Sequence, residues 1–167
     1  MSPLMKGLLI AALQMLIVGS LGAKFLIDRS TFPRVWVATA PVDPDMPIRG
    51  RYVSIYALVE AERNEASFQS NGPAAFQGRL EVKDDKLVAV EDPDGRHWAS
   101  NVACGDEQCW RLSEPLAYFI PENVADPSRR EPGEELWVEV TVPPKGAPRP
   151  IQLGVMKDGA LTPLEIQ

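Results

Sequence analysis

The chain has 167 residues, enough for one compact domain and a short anchor but too few for two full domains. Hydrophobic residues make up 45% and charged residues 24%, which excludes wholesale disorder. Lys and Arg number 17 against 23 Asp and Glu, for a net charge of −6, and the acidic excess lies beyond residue 27. No basic face is left for nucleic acid or for the soluble part to meet an anionic lipid surface.

In chain order, the first element is an apolar helix. Residues 7–23 read GLLIAALQMLIVGSLGA, uncharged between Lys6 and Lys24. Phe25, Leu26 and Ile27 extend the stretch if Lys24 snorkels to the interface. At 1.5 Å per residue such a helix crosses a hydrocarbon core of ~30 Å. Gln14 is the one clearly polar side chain inside it. The prediction is one N-terminal transmembrane helix of the signal-anchor type, with residues 7–27 in the lipid bilayer. Its segment is 1–29, and an extracytoplasmic β domain occupies 30–167. The alternative is a cleaved signal peptide, since Ser20-Leu21-Gly22 offers small residues for cleavage before Ala23. Either reading sends the rest of the chain out of the cytoplasm.

Proline shapes the remainder of the chain. Of 16 prolines, all but Pro3 lie from Pro33 onward, which leaves little room for long helices. Residues 34–39 read as a strand, with Val35 and Val37 on one face and Trp36 on the other. Pro41, Pro44 and Pro47 then hold the chain extended or bent. Residues 51–62 alternate with period two: Val53, Ile55, Ala57 and Val59 on one face, Tyr52, Ser54, Tyr56, Leu58 and Glu60 on the other. The second half of this run also has helix propensity, so its state is ambiguous.

Further strands are predicted at 77–82 and 86–91 across Asp84-Asp85. Others are expected at 96–99, 110–112, 116–120, 136–142, 151–156 and 160–166, with turns at Asp92-Pro93-Asp94-Gly95 and Asp158-Gly159. About seven to nine short strands with turn chemistry between them give an all-β fold, a small antiparallel barrel or sandwich.

Cys104 and Cys109 are the only cysteines, in a Cys-x4-Cys spacing with Gly105-Asp106 able to turn the chain. In an exported domain this predicts a disulfide at a hairpin tip. A redox Cys-x-x-Cys is absent, and zinc would need two more ligands where His97 is the one histidine. No metal or other cofactor is predicted.

The run from Ala40 to Ile55, APVDPDMPIRGRYVSI, is similar to the opening of the GDYXXLXY family, named for its motif. Asp43-Pro44, Arg49-Gly50 and Tyr52-Val53 match the family pattern, as do YFIPE at Tyr118–Glu122 and ELWVEV before a last hairpin. Arg51 stands at the motif aspartate, Ile55 at the leucine and Ala57 at the final tyrosine. The resemblance implies a bacterial protein anchored by one helix in the inner (cytoplasmic) membrane, with a β-rich periplasmic domain. It brings no mechanism.

Catalysis finds no constellation. No Gly-x-Ser-x-Gly surrounds a serine, and His97 comes just after a turn. The carboxylate pairs Asp84/Asp85, Asp92/Asp94 and Glu134/Glu135 sit at turns or strand edges, where solvation explains them. The candidate interaction surface is Asp43, Asp45, Arg49, Arg51, Tyr52 and Tyr56, because arginine and tyrosine anchor protein interfaces. The competing explanation is local ion pairing of Arg49 and Arg51 with Asp43 and Asp45. The expected function is a non-enzymatic accessory or assembly subunit beside a larger integral membrane protein, recognising it through the exposed edge and aromatic face near residues 51–58. The alternative is a ligand-binding or hydrolytic β-barrel acting on envelope glycan or peptide.

Overall fold

The computed structural model describes residues 2–41, 52–63, 75–104 and 107–166. The chain divides into two compact units, Met1–Phe32 and Pro33–Gln167.

The first unit is helix α1, Pro3–Thr31. It starts earlier than the apolar run because Ser2 caps it, accepting a hydrogen bond from the Met5 amide at 3.4 Å, and Pro3 occupies the first turn. It stops at Phe32, whose amide donates to the Asp28 carbonyl at 3.1 Å, just before Pro33. None of its residues is buried. By length and composition it is able to cross a membrane.

The second unit is built of strands β1 (Arg34–Pro41), β2 (Tyr52–Glu62), β3 (Ala75–Lys83), β4 (Lys86–Glu91), β5 (His97–Cys104), β6 (Glu107–Leu112), β7 (Leu116–Phe119), β8 (Glu134–Thr141), β9 (Arg149–Lys157) and β10 (Ala160–Pro163). Their order is β10-β9-β8-β1-β2-β4-β3-β5-β6, and β6 returns to pair with β2. The pairings β2-β4-β3-β5-β6-β2 therefore close a small five-stranded ring. A second sheet, β10-β9-β8-β1-β2-β7, shares β2 with it.

All pairings are antiparallel except β2 with β4, where Glu60–Glu62 run beside Val88–Val90 in the same direction. The antiparallel expectation fails there for a topological reason: β3 passes to the far side of β4, so β4 returns between β3 and β2.

Strand β2 is the hub, bonded to β1, β4, β6 and β7. Its second half is strand, not helix, because β4 and β6 bond it there, and tertiary pairing outweighs propensity. Its inner face puts Val53, Ile55, Ala57 and Val59 in the core with Val35, Val37, Leu112, Val138, Val140 and Leu153. Ile55, Val138 and Val140 are completely inaccessible.

The turns explain why strands meet in these registers. Asp84 and Asp85 both adopt positive φ, 49° and 58°, the two-residue hairpin geometry that Asp tolerates. Asp158-Gly159 repeats it at 50° and 77°. Asp92 accepts from the Asp94 amide at 3.0 Å through its side chain and from the Gly95 amide at 2.9 Å through its carbonyl. Gly95 packs on the Gly78 backbone so closely that a Cβ would collide with it.

Candidate functional site

Period two along β2 sends Tyr52, Ser54, Tyr56 and Leu58 to the face away from the core. Strand pairing then decides their neighbours. Tyr52 lies opposite Phe119 of β7, with ring centroids 6.2 Å apart and planes inclined by 59°. Phe119 is 76% exposed, and among the described residues β7 pairs with β2 alone. Arg111 of β6 lies opposite Leu58 and reaches diagonally over Tyr56, its guanidinium carbon 4.1 Å from the ring centroid. The Arg111 Nε is buried without a hydrogen-bond partner among the described residues.

The same face continues across β1, β8 and β9. Ala40 sits opposite Tyr56, Ala38 opposite Trp137, and Trp137 opposite Gly154. The Trp36 ring lies against Gly154 so closely that a Cβ there would stand 2.8 Å from Cζ3. Glu135 accepts from the Trp137 indole at 3.2 Å. Small residues thus form a floor between a tryptophan pair and a tyrosine row.

Above that floor is a groove of about 770 Å³. Ala38, Ala40 and Leu58 line its base. One wall is the β5–β6 hairpin, where Cys104 and Cys109 form the expected disulfide, with Cα atoms 5.7 Å apart. The other wall runs from Ser128 to Glu135 and contributes Arg130 and Glu131. Asp126 fixes the start of this wall, accepting from the Ser128 amide at 2.9 Å and its hydroxyl at 2.7 Å. Glu134 holds Lys157 at 3.1 Å, and that hydrogen bond keeps the Glu134 carboxyl below the usual carboxylate range. The Arg130 Nε is buried and has no partner among the described residues.

Comparison with protein-family models, with curated proteins and with solved structures finds no match. The site therefore rests on its own geometry.

Of the residues singled out from sequence, Tyr52 and Tyr56 share this face. Asp43, Asp45, Arg49 and Arg51 lie outside the described residues. Along this stretch β2 is paired with β7 at Tyr52–Ile55, with β1 at Ile55–Ala57 and with β6 at Leu58 and Val59, so among the described residues Ile55 alone has a strand on both sides. Arg111 and Phe119 join the face without having been singled out. Each occupies the right alternate position of its own strand, but nothing local indicates that these strands lie beside β2.

The second half of β2 has different company. Glu60 pairs with Lys86 at 2.6 Å, Glu62 pairs with Lys83, and Lys83 reaches Glu81 at 3.4 Å. The hydrogen bonds that Lys83 donates to Glu62 and Lys86 donates to Glu60 raise the two lysines above the ordinary lysine range. His97 Nε2 lies 3.1 Å from the Gly146 carbonyl, a structural contact at a turn. Among the described residues, no three His, Cys, Asp or Glu side chains converge as metal ligands.

Proposed function

We propose that the chain is a membrane-anchored, non-enzymatic binding subunit of the bacterial cell envelope and a relative of the GDYXXLXY family. Helix α1 holds it in the inner membrane as a single pass, and the β domain lies on the periplasmic side. There the domain docks on a larger integral membrane protein through the outer face of β2, β6 and β7.

The observation that carries this reading is two pairs on one face of β2, Phe119 with Tyr52 and Arg111 with Tyr56. Aromatic and arginine anchors dominate interface energetics, and the arginine is already pre-positioned over a ring. A disulfide-closed hairpin fits an oxidising compartment. The test is co-isolation from membranes of the wild type and of the double variant Tyr52→Ala with Tyr56→Ala. The variant loses the partner while remaining folded and oxidised. If it unfolds instead, the two tyrosines belong to the core and the docking face is elsewhere.

One observation favours a second reading. A groove of about 770 Å³ with an apolar floor and polar walls is large enough for a small ligand or a peptide segment. On that reading the domain binds or cleaves envelope glycan or peptide. Titration of the isolated β domain with glycan and peptide fragments, monitored through Trp36 and Trp137 fluorescence, separates the two.

A further inference from the structure

Between Lys6 and Lys24, Gln14 is the one polar side chain with no hydrogen bond among the described residues. The Ser20 and Ser30 hydroxyls donate to the Ile17 and Ile27 carbonyls at 2.8 and 2.9 Å. The Gln14 carboxamide makes no hydrogen bond among the described residues. It carries two N–H donors and an oxygen with two lone pairs. Counting the rise puts it about 12 Å from Lys6 and about 20 Å from Ile27, well inside a bilayer. A glutamine side chain is too short to reach water from that depth. Hydrocarbon supplies no partner, so the partner must be another helix.

The face around Gln14 indicates which helix. Gly7, Ala11, Gln14, Val18 and Gly22 recur at spacings of three and four and lie along one side of α1. The glycines have open space beside them, so a second backbone can come close. Lys6 and Lys24 share a line about 120° round the helix from the centre of this face. Two parallel copies in register therefore do not bring lysine against lysine. A carboxamide is donor and acceptor at once, so Gln14 is complementary to Gln14 of a second copy at the same depth. No other chain is required to satisfy it.

We infer that α1 pairs in the bilayer with α1 of a second copy of this chain, parallel and in register, through reciprocal Gln14 hydrogen bonds. The inference rests on the proposed membrane anchoring and is independent of what the β domain binds.

The test uses two differently tagged full-length copies expressed together. Membranes are washed with alkaline carbonate and dissolved in mild detergent, and one tag is captured. Wild-type copies co-isolate. Gln14→Leu lowers the co-isolated copy by about tenfold without reducing the carbonate-resistant fraction. Gln14→Asn, which keeps a carboxamide, retains most of it. Gln14→Leu co-isolating like wild type overturns the pairing, and so does a carbonate-resistant wild type that is monomeric. A Gln14-dependent complex holding one copy and a different chain overturns it as well. Release of the wild type by carbonate overturns the anchoring itself, and the pairing with it.

Discussion

The two halves of β2 share one inner face and differ completely on the outer one. Inside, Val53 and Ile55 of the first half and Ala57 and Val59 of the second meet a single core. Outside, the first half shows Tyr52 and Tyr56 beside Phe119 and Arg111, whereas the second shows Glu60 and Glu62 held by Lys86 and Lys83. The charged half is satisfied within the chain and in water. In the aromatic half the Arg111 Nε is buried with no hydrogen-bond partner among the described residues, and Phe119 stands open to solvent. One strand thus separates a surface complete in itself from one suited to a partner.

The shared face gives the largest expected effect. Ile55→Ala removes a completely buried side chain at the hub and costs about 3 kcal/mol in denaturant unfolding. A loss confined to one sheet, with the other still cooperative, would split the common core assigned to the two halves. At the junction, β6 pairs with Leu58 and Val59 and carries Cys109. Replacing both cysteines by alanine costs about 2 kcal/mol, because the closed loop is short. On the ligand-binding reading it also loosens one wall of the groove and weakens glycan or peptide binding there.

The outer faces give smaller effects on stability and opposite effects on binding. Tyr56→Ala removes the ring beneath Arg111 and costs about 1 kcal/mol, while partner capture falls more than tenfold. Glu60→Gln lowers the denaturation midpoint only marginally and leaves partner capture unchanged, since exposed pairs contribute little. A loss of capture in the Glu60 variant would erase the distinction between the halves.

The smallest effects are those of pH. Lys83 and Lys86 have raised folded values, so their contribution is complete below the ordinary lysine range and is lost as pH rises through the folded values. Glu134 has a lowered folded value, so its contribution is present above the ordinary carboxylate range and is lost as pH falls through the folded value. Stability measured against pH therefore sags at both ends. Lys157→Met removes the acid-side share alone.

What the sequence makes legible is local. The apolar run of α1, the inner face of β2, the Asp84-Asp85 and Asp158-Gly159 hairpins and the cysteine pair are each written within short stretches of neighbouring residues. Residues 100–104 read poorly because Ser100 and Asn101 break the hydrophobic alternation, and only the ladder from Ala99↔Leu112 to Cys104↔Glu107 makes them strand. The parallel β2–β4 pair, the ring closure and the neighbours Arg111 and Phe119 depend on which distant strands meet. No spacing along the chain encodes that.

The central claim is that the aromatic half of β2 is the docking face and the charged half is not. A photo-reactive residue placed in turn at Tyr56, Phe119, Glu60 and Glu62, and irradiated in intact membranes, tests it most directly. The account predicts one recurrent membrane-protein adduct from positions 56 and 119 and none from 60 and 62. Equal labelling from all four positions, or an adduct from 60 and 62 alone, would contradict it.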